Sequence, residues 1–252
     1  MAEATPNHEF FVGYHAAPPP RLRHFLFAVM AIVLAVFALA SLAVAVSTQS
    51  PGVGQFGPGG GQTFTGLLET KPYPALRLPS DKDHANPRTI PLAGEGKNGV
   101  AVVAAPLAGK RVEARGILVR RGSFDMLLTS ADAMHVVSAE APAPAAAVPL
   151  GRWRITGEIC DGKCSAGAMH PGTSIAHRAC ANLCITGGVP AVFVSTTPVE
   201  GASFFLLADK NGGPAPDAIY DYVGLRIEIE GDLKRLDDLL VFEIDPATAK
   251  VK

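Results

Sequence analysis

The sequence predicts a mainly β protein, with one N-terminal transmembrane helix followed by two tandem β-barrel modules. Three observations support this. Residues 25–46 form an uncharged apolar run, apolar and polar residues alternate over much of the remaining chain, and two segments align with each other without a gap. Glycine and proline separate the alternating segments, as they do between short antiparallel strands. We expect each module to be a small OB-like, Greek-key barrel.

The apolar run at residues 25–46 has the length and composition of a membrane-spanning helix. It contains no charged residue and a single serine. About 20 apolar residues suffice to cross a hydrocarbon core of ~30 Å, whereas a soluble helix of this length needs a polar face. Arg21 and Arg23 precede the run, and the next charged residue after it is Glu69. This asymmetry predicts a cytoplasmic tail at residues 1–24 and an exported remainder.

This topology predicts a protein of the bacterial inner (cytoplasmic) membrane with its C-terminal modules in the periplasm. A cleaved signal peptide is the alternative, but its apolar region is usually ~7–15 residues long and closer to the N-terminus. Either way, most of the chain reaches a compartment in which thiols tend to be oxidised. The net charge of −1 and the 18% of charged residues predict no surface for nucleic acid. The expected partners are the membrane and an integral-membrane or exported protein.

Two segments of biased composition divide the exported part. Residues 47–62 are rich in glycine, proline, serine and glutamine, which predicts a flexible linker after the helix. Residues 141–151 contain a stiffer Ala/Pro linker. The modules are therefore expected at residues 63–140 and 152–252, each with a core of its own.

The two modules contain related sequences. Residues 109–137 align without a gap with residues 224–252, and Gly116 is matched by Gly231. In each copy, apolar residues alternate with polar ones up to the glycine, and a polar turn and a second apolar segment follow. A glycine inside a strand permits a bulge or a sharp coil. We therefore expect two copies of one antiparallel unit.

The most distinctive segment is an insertion in the second module at residues 160–190. It contains all four cysteines of the chain, two of its seven histidines and one of its five methionines. The first module has no cysteine, so we expect function to reside in this insertion rather than in the barrel scaffold. The candidate residues are Cys160, Cys164, Met169, His170, His177, Cys180 and Cys184.

A helix predicted over residues 175–185 would bring several of these side chains together. His177, Cys180 and Cys184 would share one face of that helix. Cys164, from the preceding loop, would complete a Cys₃His set of the kind that binds Zn²⁺. A thioether among the ligands would favour Cu(I). Further possible ligands are Cys160, Met169 and His170.

Disulfide bridges are an alternative reading of the same four cysteines. In an oxidising compartment, Cys160 or Cys164 would pair with Cys180 or Cys184 and so join the loop to the helix. A bridge between Cys180 and Cys184 is less suitable, because their Cβ atoms point in nearly parallel directions on one helix. A reactive thiol is the third reading.

These features predict a membrane-anchored, exported accessory or interaction subunit of a membrane redox or metal-handling system. No catalytic residue is predicted, because motifs for covalent haem attachment, thioredoxin chemistry, zinc proteases and serine hydrolases are missing. One alternative is an exported thiol oxidoreductase or copper chaperone in which Cys180 or Cys184 is active. Another is an assembly factor whose helix docks against a larger membrane complex.

Overall fold

The computed structural model describes residues 20–47, 52–57, 59, 61–138 and 146–252. The chain divides into two compact units, Met1–Ser50 and Pro51–Lys252. Residues 1–19 of the predicted cytoplasmic tail lie outside the described residues. So do residues 48–51, 58 and 60 of the first predicted linker and 141–145 of the second.

The first unit contains helix α1 (Pro20–Ser47), which includes the predicted apolar run. Alanine is the commonest residue of its sequence, followed by leucine and valine in equal number, and alanine and leucine are good helix formers. Its segment Leu22–Val46 is long and apolar enough to span a membrane, with a mean hydropathy of 2.9. The helix has no polar face, so its composition suits surroundings that are apolar on all sides.

The second unit begins with a closed five-stranded sheet. Strand β5 pairs with both β2 and β6, and this double pairing closes the sheet in the order β2-β3-β4-β6-β5. The short strand β1 extends it by pairing with β5, and β4 runs parallel to β6. The strands are β1 (Gln55–Phe56), β2 (Gln62–Glu69), β3 (Ala75–Leu78), β4 (Arg88–Ala93), β5 (Arg111–Arg121) and β6 (Phe124–Ser138).

A second closed barrel follows, with the strand order β7-β8-β9-β11-β10. The order is the same as in the first barrel, and again the third and fifth strands are parallel. Its strands are β7 (Val148–Asp161), β8 (Ala191–Val199), β9 (Ala202–Ala208), β10 (Arg226–Leu236) and β11 (Leu239–Val251). The gapless alignment places the starts of β5 and β6 on those of β10 and β11, as the structure has them.

The two aligned glycines occupy corresponding places in the two barrels. Gly116 on β5 pairs with Thr129, and Gly231 on β10 pairs with Ile244, which is the residue aligned with Thr129. A Cβ at Gly116 would overlap the carbonyl oxygen of Leu128, and one at Gly231 would overlap that of Glu243. A shift of register lies just before each glycine. Glycine therefore allows the fourth strand to lie unusually close to the fifth strand at this point.

The first barrel has a cluster of buried side chains of its own, around Leu68, Leu76 and Ile90, but a larger cluster extends across both barrels. The larger cluster of buried side chains combines Tyr73, Phe124 and Met126 of the first module with the interior of the second. The rings of Phe124 and Phe204 stack with their centroids 5.7 Å apart. Because apolar side chains of both modules leave water together, we expect the barrels to unfold as one unit.

Polar contacts also join the barrels. The guanidinium of Arg77 donates two hydrogen bonds to the carboxylate of Asp237, at 2.7 and 3.1 Å. Asp238 accepts a hydrogen bond of 2.8 Å from the backbone N–H of Thr89. Both carboxylates lie in the turn between β10 and β11 and contact strands of the first barrel. A paired, two-bond Arg–carboxylate contact fixes orientation as well as adding stability.

Candidate metal centre

The insertion of the second barrel folds into two short turns and a helix. After β7, residues Cys164–Ala168 form one wide helical turn, and Ile175–His177 form a 3₁₀ turn. The helix α3 (Arg178–Thr186) then ends at Gly187 and leads to β8. The predicted helix over residues 175–185 is thus present, but its first turn is 3₁₀ rather than α-helical.

Three of the four sulfur atoms converge. Cys164 lies in the wide turn, and Cys180 and Cys184 lie four residues apart on α3, where side chains share a face. The Sγ atoms of these three residues are all within 4.8 Å of one another. Cys164 and Cys184 are buried, whereas Cys180 is half-buried. The structure thus places Cys164 beside the two helix cysteines, as the sequence predicts.

His177 is not part of this three-sulfur group. Its Nε2 atom lies 3.1 Å from Oδ2 of Asp161, and both side chains are almost fully buried. Asp161, Cys164 and His177 form a second group whose ligand atoms lie within 4.8 Å of one another. His177 lies just before α3, and its ring is engaged by the buried carboxylate at the end of β7 instead of by the thiols. The single Cys₃His group expected from continuous helical geometry is therefore replaced by two groups that share Cys164.

Asp161 is a site residue that sequence reasoning missed. Its Oδ1 atom accepts a hydrogen bond of 2.8 Å from the backbone N–H of Cys164, so it also orients the turn that carries this cysteine. The side chain is completely buried. Asp161 directly follows Cys160 in the sequence, but it has no spacing from the cysteines or histidines that is typical of metal ligands.

The first barrel contributes a cation to the site. Lys97 lies on the loop between β4 and the short helix α2 (Ala101–Ala104), and its Nζ atom donates to Sγ of Cys180 at 2.8 Å. The same ammonium lies 3.8 Å from Sγ of Cys184. The backbone N–H of Gly99 donates to the carbonyl of Gly187 at 2.8 Å, which attaches this loop to the end of α3.

A second lysine fixes the Lys97 loop from inside. Lys163 is buried, and its Nζ atom donates to the carbonyl oxygens of Gly94, at 3.0 Å, and of Gly96. Lys163 directly precedes Cys164. The start of the wide turn therefore carries one thiol of the cluster and also binds the loop that brings Lys97 to the cluster. The insertion and the first barrel therefore build the site together.

The thiols of the cluster differ in acidity. A hydrogen bond from the Cys164 thiol, aided by the positive charges of Lys97 and Lys163, lowers the pKa of Cys184 to about 7. The pKa of Cys164 is raised, because this thiol donates a hydrogen bond to the Cys184 sulfur and is buried near the carboxylate of Asp161. Burial raises the pKa of Cys160. Of this pair, Cys184 therefore ionises first, and the Cys164 thiol stabilises its thiolate through the hydrogen bond.

The remaining predicted residues lie apart from the three sulfurs. Cys160 is buried in β7 and belongs to neither ligand group of the described residues. Met169 is exposed at the rim of the cavity that reaches the cluster, and His170 is exposed on the same turn. All four cysteines are free thiols in the structure.

A cavity of about 720 Å³ leads to the three sulfurs. The first barrel lines it with Lys97, Arg115, Gly116 and neighbouring residues, and the insertion lines it with Cys164, Met169, Cys180 and Cys184. A space of this size admits a small metal complex, another small molecule or a side chain of a partner protein. The sulfurs are therefore accessible although two of the three cysteines are buried.

This geometry permits three kinds of chemistry. Three converging sulfurs can bind a soft metal ion, two of them can form a disulfide, and Cys184 can act as a nucleophile. No protein-family model, curated protein or solved structure matches the chain significantly.

Proposed function

We propose that the protein binds a soft metal ion through Cys164, Cys180 and Cys184 and serves a membrane metal-handling system as an accessory subunit. The observation that carries this proposal is the convergence of three sulfur atoms within 4.8 Å of one another. A metal ion ~2.3 Å from each of three sulfurs requires sulfur–sulfur separations of about 3.8–4.0 Å. A disulfide would use two of these sulfurs at ~2.05 Å and leave the third without a role.

The charges around the cluster support the same proposal. Three thiolates around Zn²⁺ or Cu⁺ carry a net negative charge, and Lys97 lies within 4 Å of two of the sulfurs. Lys163 and Arg115 add positive charge at the cavity wall. Thiolate ligands select Zn²⁺ and Cu⁺ over hard cations, and the thioether of Met169 at the cavity rim would add a preference for Cu⁺.

The membrane part of the proposal is supported by α1 and its flanks. Leu22–Val46 can span a membrane, and the arginines before it favour a cytoplasmic N-terminus. We therefore place the protein in the bacterial inner membrane, with the metal centre on the periplasmic side. An integral-membrane or exported protein would be the partner that gives or receives the ion. Docking through α1 to a larger membrane complex is compatible with this role.

We assign both barrels to the OB-like class. Each has five strands in the order first, second, third, fifth, fourth, and in each the third and fifth strands are parallel. A five-stranded Greek-key barrel is the architecture of this class. Barrels of this class bind varied ligands, so the function proposed here depends on the insertion and not on the fold.

Metal analysis of the reduced full-length protein in detergent tests the proposal. After loading with Zn²⁺ or Cu⁺ and removal of excess metal, we expect at least one ion per chain in the wild type and the loss of one ion in Cys184→Ala. Cys160→Ala is the matched control and should retain the ion, because Cys160 belongs to neither ligand group. Wild-type protein that holds no metal while all four thiols are free would refute the proposal.

A thiol oxidoreductase is the second candidate. It is favoured by the hydrogen bond between the Cys164 thiol and the Cys184 sulfur and by the adjacent ammonium of Lys97. Such a pair can cycle between a dithiol and a disulfide. A disulfide between Cys164 and Cys184 that forms reversibly in metal-free protein, together with no metal binding, would favour this function over the metal site.

A further inference from the structure

We propose that the centre binds two metal ions that share the thiolate of Cys164. The outer ion would be bound by Cys164, Cys180 and Cys184, and the inner ion by Cys164, Asp161 and His177. This inference deepens the proposed function and rests on it. It assigns a role to the buried Asp161–His177 pair, which the three-sulfur site does not use.

The geometry of the second group suits an ion such as Zn²⁺. Its ligand atoms, one oxygen, one nitrogen and one sulfur, lie within 4.8 Å of one another. Tetrahedral zinc with nitrogen and oxygen ligands at ~2.0–2.1 Å places these two atoms about 3.3 Å apart. The observed separation of Nε2 of His177 and Oδ2 of Asp161 is 3.1 Å. Only a small movement would therefore be needed for both atoms to face one ion.

Burial gives a second reason. The side chains of Asp161 and His177 are 0% and 3% exposed. A buried carboxylate is costly unless it is paired or binds a metal. The other oxygen of Asp161 already accepts the N–H of Cys164, which is the kind of outer hydrogen bond that orients a metal ligand. The oxygen that faces His177 contacts only that ring nitrogen among the hydrogen bonds of the described residues, so an ion between the two atoms would replace this one contact.

The two ions would differ in their access to the cavity. The cavity reaches Cys164, Cys180 and Cys184, whereas Asp161 and His177 do not line it. The outer ion would consequently exchange with the cavity, and the inner ion would be enclosed behind Cys164. Binding of two Zn²⁺ ions would release the protons of the thiols and transfer no electrons.

Titration of the reduced, metal-free, full-length protein with Zn²⁺ alone tests the inference. We expect two Zn²⁺ per wild-type chain and a two-phase release by a chelator, with the outer ion leaving first. His177→Gln and Asp161→Asn should each reduce the stoichiometry to one and remove the slow phase. Asparagine keeps an oxygen for the N–H of Cys164, and glutamine keeps an amide for Asp161, so both changes are conservative. His170→Ala is the matched control and should bind two ions.

The outcomes separate this inference from the function on which it rests. One Zn²⁺ in the wild type, unchanged in His177→Gln, would refute the second site and leave the three-sulfur site intact. Two ions retained in both His177→Gln and Asp161→Asn would also refute it. No Zn²⁺ in the wild type would refute the proposed function itself. A remaining ion in each variant shows that the outer site is folded, so a loss of the inner ion cannot be a general loss of structure.

Discussion

Replacing Lys97 with methionine should make Cys184 less acidic. Lys97 places its ammonium 3.8 Å from Sγ of Cys184, and its removal leaves a thiolate without that positive neighbour. Because Lys97 is exposed, the dielectric constant of water is appropriate, and Coulomb's law then gives about 1 kcal/mol at this distance. Since 1.36 kcal/mol corresponds to one pKa unit, the pKa of Cys184 should rise by about 0.8.

The consequence is a measurable fall in thiol reactivity. With a pKa of about 7, about half of Cys184 is thiolate at pH 7. With a pKa near 8, the fraction is roughly one seventh, so alkylation of Cys184 should be about fourfold slower. Near pH 10, wild type and variant should react at similar rates, because Cys184 is ionised in both.

The assay is alkylation by iodoacetamide of the reduced, metal-free protein over a range of pH. Fragmentation of the modified peptide in a mass spectrometer separates Cys184 from Cys180. Lys82→Met is the matched control, because Lys82 is also an exposed lysine but does not line the cavity. A pH midpoint for Cys184 that stays the same or falls in Lys97→Met would refute the electrostatic role of Lys97. A slower reaction at every pH would indicate a change in access instead.

Three further outcomes are expected. Gly231→Val should lower the free energy of unfolding by at least about 2–3 kcal/mol, because the valine side chain would overlap the carbonyl of Glu243. Denaturant unfolding measures this change, with Gly59→Ala at an exposed position as the control, and an unchanged free energy in Gly231→Val would contradict it. Phe124→Ala should cost about 3–5 kcal/mol and keep a single unfolding transition, because Phe124 lies in the shared core; two separate transitions would show independent barrels. A periplasm-specific reporter fused after Lys252 should be active, and activity of a cytoplasm-specific reporter alone would reverse the topology.

The elements that the sequence predicts correctly are those with a local, repeated signal. The apolar run at residues 25–46 specifies a helix through composition alone, and α1 contains it. The alternating pattern and the gapless alignment locate β5 and β10 at matching positions, because side chains in a strand alternate with a period of two. The helix of the insertion was also predictable, because Gly187 and Pro190 mark its C-terminal end.

The composition of the centre was only partly visible. Helical spacing correctly placed Cys180 with Cys184, but it could not show that the ring of His177 pairs with Asp161, which comes from the end of β7. Asp161 has no motif spacing that marks it as a ligand. Likewise, Asp237 resembles any solvated turn residue until Arg77 of the other barrel is seen to contact it.

By itself, the sequence determined which segments form the apolar helix, the aligned strands of the repeat and the thiol-rich insertion, since each of these depends on residues close together in the chain. Only the tertiary structure decided what surrounds the thiols. Lys97 and Cys180 are 83 residues apart, and no local pattern links them. They meet because one cluster of buried side chains joins the two barrels and the loop after β4 lies against the end of α3. Contacts of this kind follow from how whole barrels pack, which is a property of the fold and not of any single segment.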